Sequence, residues 1–276
     1  MNTQVEAVYC ICDEVCRSLA FDNDPQCRMT DAEVMTFAVY AAAFCFGDYK
    51  RARLFSLHHR YFPKILSHSR LIQRIHKIPQ HVWLLVFQAI QVCVRNPQNQ
   101  LFIVDSFPIK AYENHKSFRA RIFSGKEYHG YSASRKAYFF GIKVHMLVDL
   151  DGIPVEFGFT PGSCSDIAGF RSLPICLRPD SKIFADCAYT DYQLEDLLLQ
   201  SNGIHLISKR RSNAKRQHKP EDQLELSKYR NSIESVFSSI TSRMPRHVRA
   251  RTEKGFCLKI FFFILAYMAQ KICPLS

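Results

Sequence analysis

After residue 97 the chain alternates short apolar runs of strand length with segments of helical periodicity. The clearest signal is the dipeptide Asp151-Gly152, a hairpin turn with apolar strand segments on both sides. This alternation predicts an α/β fold with a mixed five-stranded sheet and flanking helices. We expect the strands at residues 101–104, 138–150, 153–160, 182–185 and 204–208. We expect helices at 165–173, 192–200 and 227–242 and a terminal apolar helix from Phe256, with the polar segment 108–137 as an extended loop over the site.

The first 95 residues have helical character throughout. Thr30 and Glu33 fit a capping box, which predicts a helix that begins there and ends at Gly47. A second helix is expected from about Ser67 to Pro79, and a third should stop before Asn96-Pro97, because proline disfavours a helical residue ahead of it. The chain is therefore expected to divide into an all-helical N-terminal region, 1–97, and a second domain with a C-terminal helix, 98–276.

Positive charge is concentrated in three parts of a chain whose net charge is +12. Residues 49–104, 209–219 and 243–251 contain no Asp or Glu, and such single-sign stretches indicate a polyanionic partner, with nucleic acid the obvious one. Solubility alone is the alternative. On the second helix the cations share one face, which suits either a reader of the DNA groove or a helix that packs against its neighbours. The candidate DNA contacts are Arg70, Arg74, Lys77, Lys110, Lys209, Arg210, Arg211 and Arg243.

Other classes of protein fit the sequence less well. The apolar run Ile260–Ala269 has ten residues, whereas a transmembrane helix needs about 20, so we expect a buried core helix and no membrane partner. The N-terminus has no Lys or Arg before Arg17 and lacks the positive segment of a signal peptide, which favours a cytosolic protein. The 11 cysteines include no Cys-x-x-Cys pair, so free thiols are favoured over a disulfide framework or a zinc site.

Three acids lie at positions where a bound cation would neutralise their charge. Asp105 follows the apolar run LFIV, Asp186 follows KIFA, and Glu234 lies beside the apolar stripe of a helix. A turn, a helix cap or a surface ion pair is the alternative interpretation of each acid. Together they would repel one another unless divalent cations neutralised them, and Mg²⁺ or Mn²⁺ prefers such oxygen ligands. Two such ions about 3.5 to 4 Å apart are suited to phosphodiester transfer.

The residues around these acids resemble the motifs of bacterial insertion-sequence transposases of the DDE type. The resemblance rests on VDSFPI around Asp105, FADCAYTD around Asp186 and YRNSIES around Glu234, with GIKVHMLVDLDGIP and SCSDIAGF between them. It implies a ribonuclease H-like catalytic fold and an Asp, Asp, Glu triad that holds two Mg²⁺ or Mn²⁺ ions. It also implies cleavage at the ends of a mobile element and joining of the freed 3′-hydroxyl to target DNA.

Further expectations follow from that resemblance. Residues 1–97 would be a DNA-binding region, and residues 98–276 would be a ribonuclease H-like catalytic domain with a C-terminal helix. Arg230, one helical turn before Glu234, would contact phosphate near the third acid. The partners would be the terminal inverted repeats of the element and the target DNA, in the bacterial cytosol, and action on two ends implies a homodimer or larger assembly. Asp166 is expected to cap a helix. Two alternatives stay open: a ribonuclease H-like nuclease that only hydrolyses DNA, and a non-catalytic DNA-binding relic or repressor.

Overall fold

The computed structural model describes residues 2–20, 26–113, 118, 120–132 and 136–272. The chain forms two compact units, one made of residues 1–94 and 239–276 and the other of residues 95–238. The first division lies close to the predicted boundary at residue 97. The structure groups residues 239–276 with the N-terminal helices, whereas the sequence-based division assigned them to the catalytic domain.

The bounds of the regular elements are as follows. The helices are α1 (Asn2–Ser18), α2 (Asp31–Phe44), α3 (Tyr49–His59), α4 (His68–Lys77), α5 (Gln80–Val94), α6 (Asp166–Arg171), α7 (Tyr192–Asn202), α8 (Pro220–Tyr229), α9 (Ser232–Thr241) and α10 (Glu253–Ile272). The strands are β1 (Leu101–Tyr112), β2 (His129–Ser132), β3 (Ala137–Asp149), β4 (Pro154–Pro161), β5 (Lys182–Ala185) and β6 (His205–Ser208).

The helical unit follows the local signals of its sequence. The Thr30 hydroxyl accepts a hydrogen bond from the Glu33 amide, and the Glu33 carboxylate accepts one from the Thr30 amide, so the predicted capping box opens α2. The hydroxyl of Ser67 caps α4. These caps satisfy amide groups that the first turn of a helix leaves without partners.

Helix α10 supplies much of the core of the helical unit. Residues 260–269 are buried, and the ring of Phe262 lies 4.7 Å from that of Trp83 on α5. Within the described residues, α10 is the one helix whose length and apolar composition would suffice to cross a membrane. Its burial against α1, α2 and α5 is the arrangement expected of a core helix.

The second unit is built on a mixed sheet in which the strand order is β2-β3-β1-β5-β6, with β4 paired to β3. Strand β1 is antiparallel to β3 and parallel to β5, and β5 is parallel to β6. The predicted mixed α/β sheet is confirmed and is consistent with a ribonuclease H-like fold. The predicted number of five strands is wrong, because the polar segment HGYS forms β2 along β3.

Two further differences bear on the site. Strand β1 continues to Tyr112, so the first part of the predicted extended loop 108–137 is a strand, and residues 114–117, 119 and 133–135 of that loop lie outside the described residues. The helix predicted over residues 227–242 is divided in two, with α8 ending at Tyr229 and α9 beginning at Ser232. Arg230 stands at this break.

Candidate active site

The sequence predicted that Asp105 lies at the end of a strand. In the structure it lies within β1. The parallel pairing of β1 with β5 stops at Ile103, which leaves Asp105 just beyond the paired segment. The backbone amide of Ser106 donates a hydrogen bond to the Asp105 carboxylate at 2.7 Å. The strand therefore holds this partly buried carboxylate close to its own backbone.

Asp186 directly follows β5, as predicted. Its carboxylate accepts a hydrogen bond from the amide of Cys187 and so caps a single 3-10 turn, Cys187–Tyr189. The guanidinium of Arg230 forms an ion pair with the other carboxylate oxygen at 3.0 Å. In the described structure the partner of Arg230 is therefore an acid of the site, and a phosphate contact for Arg230 stays a prediction.

The carboxylates of Asp105 and Asp186 interact electrostatically. Burial raises the pKa of Asp105 to about 6, with further raising contributions from Asp166 and Asp186 and opposing ones from the Ser106 amide and Arg230. Asp105 and Asp186 were expected to converge because they follow neighbouring strands. Each stands two residues after the in-register pair Ile103 and Phe184, which indicates that the fold brings them close together.

Glu234 is exposed on α9. Contacts on either side place its helix at the site. Four residues earlier Arg230 binds Asp186, and three residues later the ring of Phe237 lies 4.5 Å from that of Phe107. Because Phe107 is two residues after Asp105, both side chains lie on the same face of β1. Helix α9 therefore contacts the face of the sheet that carries Asp105, and the role of Glu234 stays a prediction.

Mg²⁺ and Mn²⁺ bind oxygen ligands such as carboxylates. Within the described ranges there is no group of three or more His, Cys, Asp or Glu side chains placed to hold a metal ion. Asp105 and Asp186 nevertheless offer carboxylate oxygens, and Mg²⁺ is commonly held by one or two carboxylates together with the phosphates of a substrate. Burial raises the pKa of Asp105, and a nearby cation would favour its ionised form. These two acids fit such an ion.

The predicted DNA contacts differ in how available their charges are. Lys209 directly follows β6, and Asp186 directly follows β5. Because β5 and β6 are parallel neighbours, both residues lie at the same edge of the sheet, where the C-terminal ends of these strands meet. Its side chain is exposed. In the described part of the chain, no carboxylate forms a salt bridge with the exposed cations Arg70, Lys77, Lys110, Lys209 and Arg211.

Three other predicted contacts are engaged within the protein. Arg74 forms an ion pair with Asp31 at 2.6 Å. Arg210 is 5% exposed and is paired with Glu195 at 2.5 Å. Arg243 donates hydrogen bonds to the carbonyl of Ser239 and to the side chain of Gln270. Asp31 and Glu195 lie 43 and 15 residues away from the cations that they bind, so the basic patches alone do not show which cations are paired.

Sequence reasoning missed a polar cluster behind Asp105. Asp166 was expected to cap α6, but Ser165 is the cap, and the Asp166 carboxylate binds Ser106 and Lys143 instead. The available signals were a charged Lys143 within the strand segment GIKVHML and an Asp166 that directly follows the capping Ser165 in SCSDIAGF. Only the packing of α6 against β3 brings these two residues together.

Comparison with known proteins adds one family. The family model described as a transposase DDE domain matches residues 96–269, which is more than half of the chain. The matched segment contains Asp105, Asp186 and Glu234. A comparison with curated proteins gives no significant match.

Proposed function

Because the chain belongs to the transposase DDE-domain family, we propose that it cleaves DNA at the ends of an insertion element and joins the freed 3′-hydroxyl to target DNA. In the first step the oxygen of water attacks phosphorus and the bond to the 3′-oxygen breaks. In the second step the 3′-oxygen of the element attacks a phosphate of the target DNA. The bond between that phosphorus and the target's own 3′-oxygen breaks. Asp105 and Asp186 each stand two residues after the in-register pair Ile103 and Phe184 of neighbouring parallel strands, and this observation carries the proposal.

Asp105, Asp186 and Glu234 are the proposed metal ligands. Two bound Mg²⁺ or Mn²⁺ ions would supply Lewis-acid activation of the attacking oxygen and stabilise charge on the leaving oxygen. A nearby cation favours the ionised form of Asp105, whose pKa burial raises to about 6. The position of Glu234, between the Arg230–Asp186 ion pair and the Phe107–Phe237 contact, supports its place in the triad.

The exposed cations would bind the phosphate backbone. Lys209 is the best placed of them, because it stands at the same sheet edge as Asp186. In the helical unit, Arg70 and Lys77 line a cavity of about 400 Å³ together with Arg28. Phosphate contacts of this kind bind DNA without reading its sequence and weaken as salt rises. We propose Arg70, Lys77, Lys110, Lys209, Arg211 and, when released from Asp186, Arg230 as DNA contacts.

Synapsis of two element ends requires at least two active sites, so a homodimer or larger assembly in the bacterial cytosol is part of the proposal. The decisive test incubates the purified protein with its own flanking DNA and Mg²⁺ and maps the products at nucleotide resolution. Asp105→Ala, Asp186→Ala and Glu234→Ala should each abolish cleavage. The matched control Glu221→Ala, which removes another exposed glutamate from the neighbouring helix α8, should cleave normally.

The products and the binding data separate the alternatives. Strand-transfer products distinguish a transposase from a nuclease that only hydrolyses DNA. DNA binding without cleavage by the unaltered chain would instead identify a non-catalytic repressor or relic. Cleavage that persists in Asp105→Ala would show that the triad assignment is wrong.

A further inference from the structure

Asp105 and Ser106 lie on opposite faces of β1, because successive residues of a strand point to alternate sides. On the Asp105 face, Phe107 contacts Phe237 of α9. On the opposite face, Ser106 stands in register with His145 of β3. Helix α6 packs on that second face so closely that a Cβ on Gly169 would come within 2.1 Å of the His145 ring. The strand thus separates the proposed catalytic acid from α6.

A hydrogen-bonded chain crosses this strand. The Ser106 hydroxyl donates to the Asp166 carboxylate at 2.6 Å, while the Ser106 amide donates to the Asp105 carboxylate at 2.7 Å. Lys143, on β3, donates to the same oxygen of Asp166 at 3.1 Å and to the carbonyl of Cys164 at 2.8 Å. We call Ser106, Lys143 and Asp166 the α6 anchor.

The α6 anchor is well shielded from water. The side chain of Lys143 is 14% exposed and that of Asp166 is 26% exposed. Removal of either partner leaves a largely buried charge without its counterpart, which is far more disruptive than the loss of a surface ion pair. The anchor therefore constrains the backbone of β1 at the residue that follows Asp105.

The same helix also supports the second acid. Phe170 of α6 packs edge-to-face on the buried ring of Tyr189, with the ring centroids 5.9 Å apart. Tyr189 ends the 3-10 turn that Asp186 caps. One short helix thus contacts the backbone segments of both Asp105 and Asp186 from behind the site.

We propose that Asp166 and Lys143 are positioning residues for DNA cleavage, which act through Ser106 on the Asp105 carboxylate. This inference rests on the proposed function. Asp166 orients the Ser106 hydroxyl, the fixed backbone keeps the Ser106 amide directed at Asp105, and Lys143 balances the charge of Asp166. Small displacements of a reacting group are costly, since a shift of about 1 Å can reduce a rate by about 100-fold.

The test compares Asp166→Ala with Asp196→Ala, which removes a carboxylate from the exposed ion pair with Arg216 in the same unit. Two quantities are measured on the folded full chain: hydrogen exchange of the Ser106 amide, and cleavage of flanking DNA with Mg²⁺. Asp166→Ala should accelerate exchange of the Ser106 amide by about tenfold or more, because local opening of β1 at Ser106 becomes easier. It should lower kcat by about tenfold or more while the KM for DNA stays within about twofold. The control should change neither quantity.

Further variants keep the outcome decisive. If Asp166→Ala fails to fold, Asp166→Asn retains an oxygen that can accept from Ser106 and should give an intermediate loss, as should Lys143→Met. Lys143→Arg should restore most of the loss seen in Lys143→Met. Unchanged exchange with lost cleavage would mean that Asp166 acts directly on the substrate, and unchanged cleavage would overturn the proposal. If the unaltered chain cleaves no DNA, the proposed function fails, while the exchange comparison still decides whether the anchor holds Ser106.

Discussion

Replacement of Asp105 by Asn should stabilise the metal-free protein at neutral and alkaline pH. Burial raises the pKa of Asp105 from 3.8 to about 6, which means that the folded state holds the charged carboxylate less favourably than the unfolded state does. At 1.36 kcal/mol per tenfold change in proton affinity, this difference corresponds to about 3 kcal/mol. An uncharged Asn avoids that cost and keeps an oxygen that can accept from the Ser106 amide.

The pH dependence fixes the sign of the effect. Below the unfolded pKa of 3.8, Asp105 is protonated in both states, so wild type and Asp105→Asn should differ little. As pH rises through about 6, the wild-type protein loses the stability that the protonated acid had provided, and the variant does not. The stability gap should therefore widen between about pH 4 and about pH 7 and then level off.

Urea denaturation followed by circular dichroism, in the presence of a chelator, measures this gap. Asp196→Asn is the matched control, because Arg216 lowers the pKa of that exposed carboxylate and its neutralisation should bring no stabilisation. The reasoning is refuted if Asp105→Asn is less stable than wild type at about pH 8, or if the gap does not change with pH.

Two local changes test the packing described above. Gly169→Ala would place a Cβ within 2.1 Å of the buried His145 ring. It should therefore destabilise the protein by about 1–3 kcal/mol, although alanine favours a helix. An unchanged free energy of unfolding in urea would contradict the close approach of α6 to β3. Thr30→Ala removes the hydroxyl that caps α2 and should cost about 1 kcal/mol, which a lowered Tm would report and an unchanged Tm would disprove.

Elements with local signals could be predicted from the sequence. The capping box at Thr30, the Ser67 cap and the Asp151-Gly152 turn each depend on residues within a few positions of one another. Strand β2 could not be found in this way, because HGYS has no alternation of apolar and polar residues and becomes a strand only where β3 offers an edge. Its formation depends on tertiary contacts rather than on propensity.

The site shows the same division. The positions of Asp105 and Asp186 beside paired strand segments could be predicted because each acid follows an apolar run, while their catalytic role stays a prediction. Which cations form ion pairs within the protein could not be predicted. Arg210 pairs with Glu195 and Arg74 pairs with Asp31, and neither acid is a close neighbour of its partner in the sequence. The partnership of Asp166 with Lys143 likewise depends on the register of β3 and on where α6 begins.

The helical unit is assembled from two segments that are far apart in the sequence, 1–94 and 239–276, with α10 completing a core that α1 to α5 begin. During synthesis the sheet unit, residues 95–238, emerges whole before the helix that the N-terminal segment needs. A ribosomal product that stops before residue 253 would lack that helix and leave Trp83 without its aromatic neighbours Phe261 and Phe262. Premature termination should therefore yield misfolded N-terminal helices that are prone to aggregation.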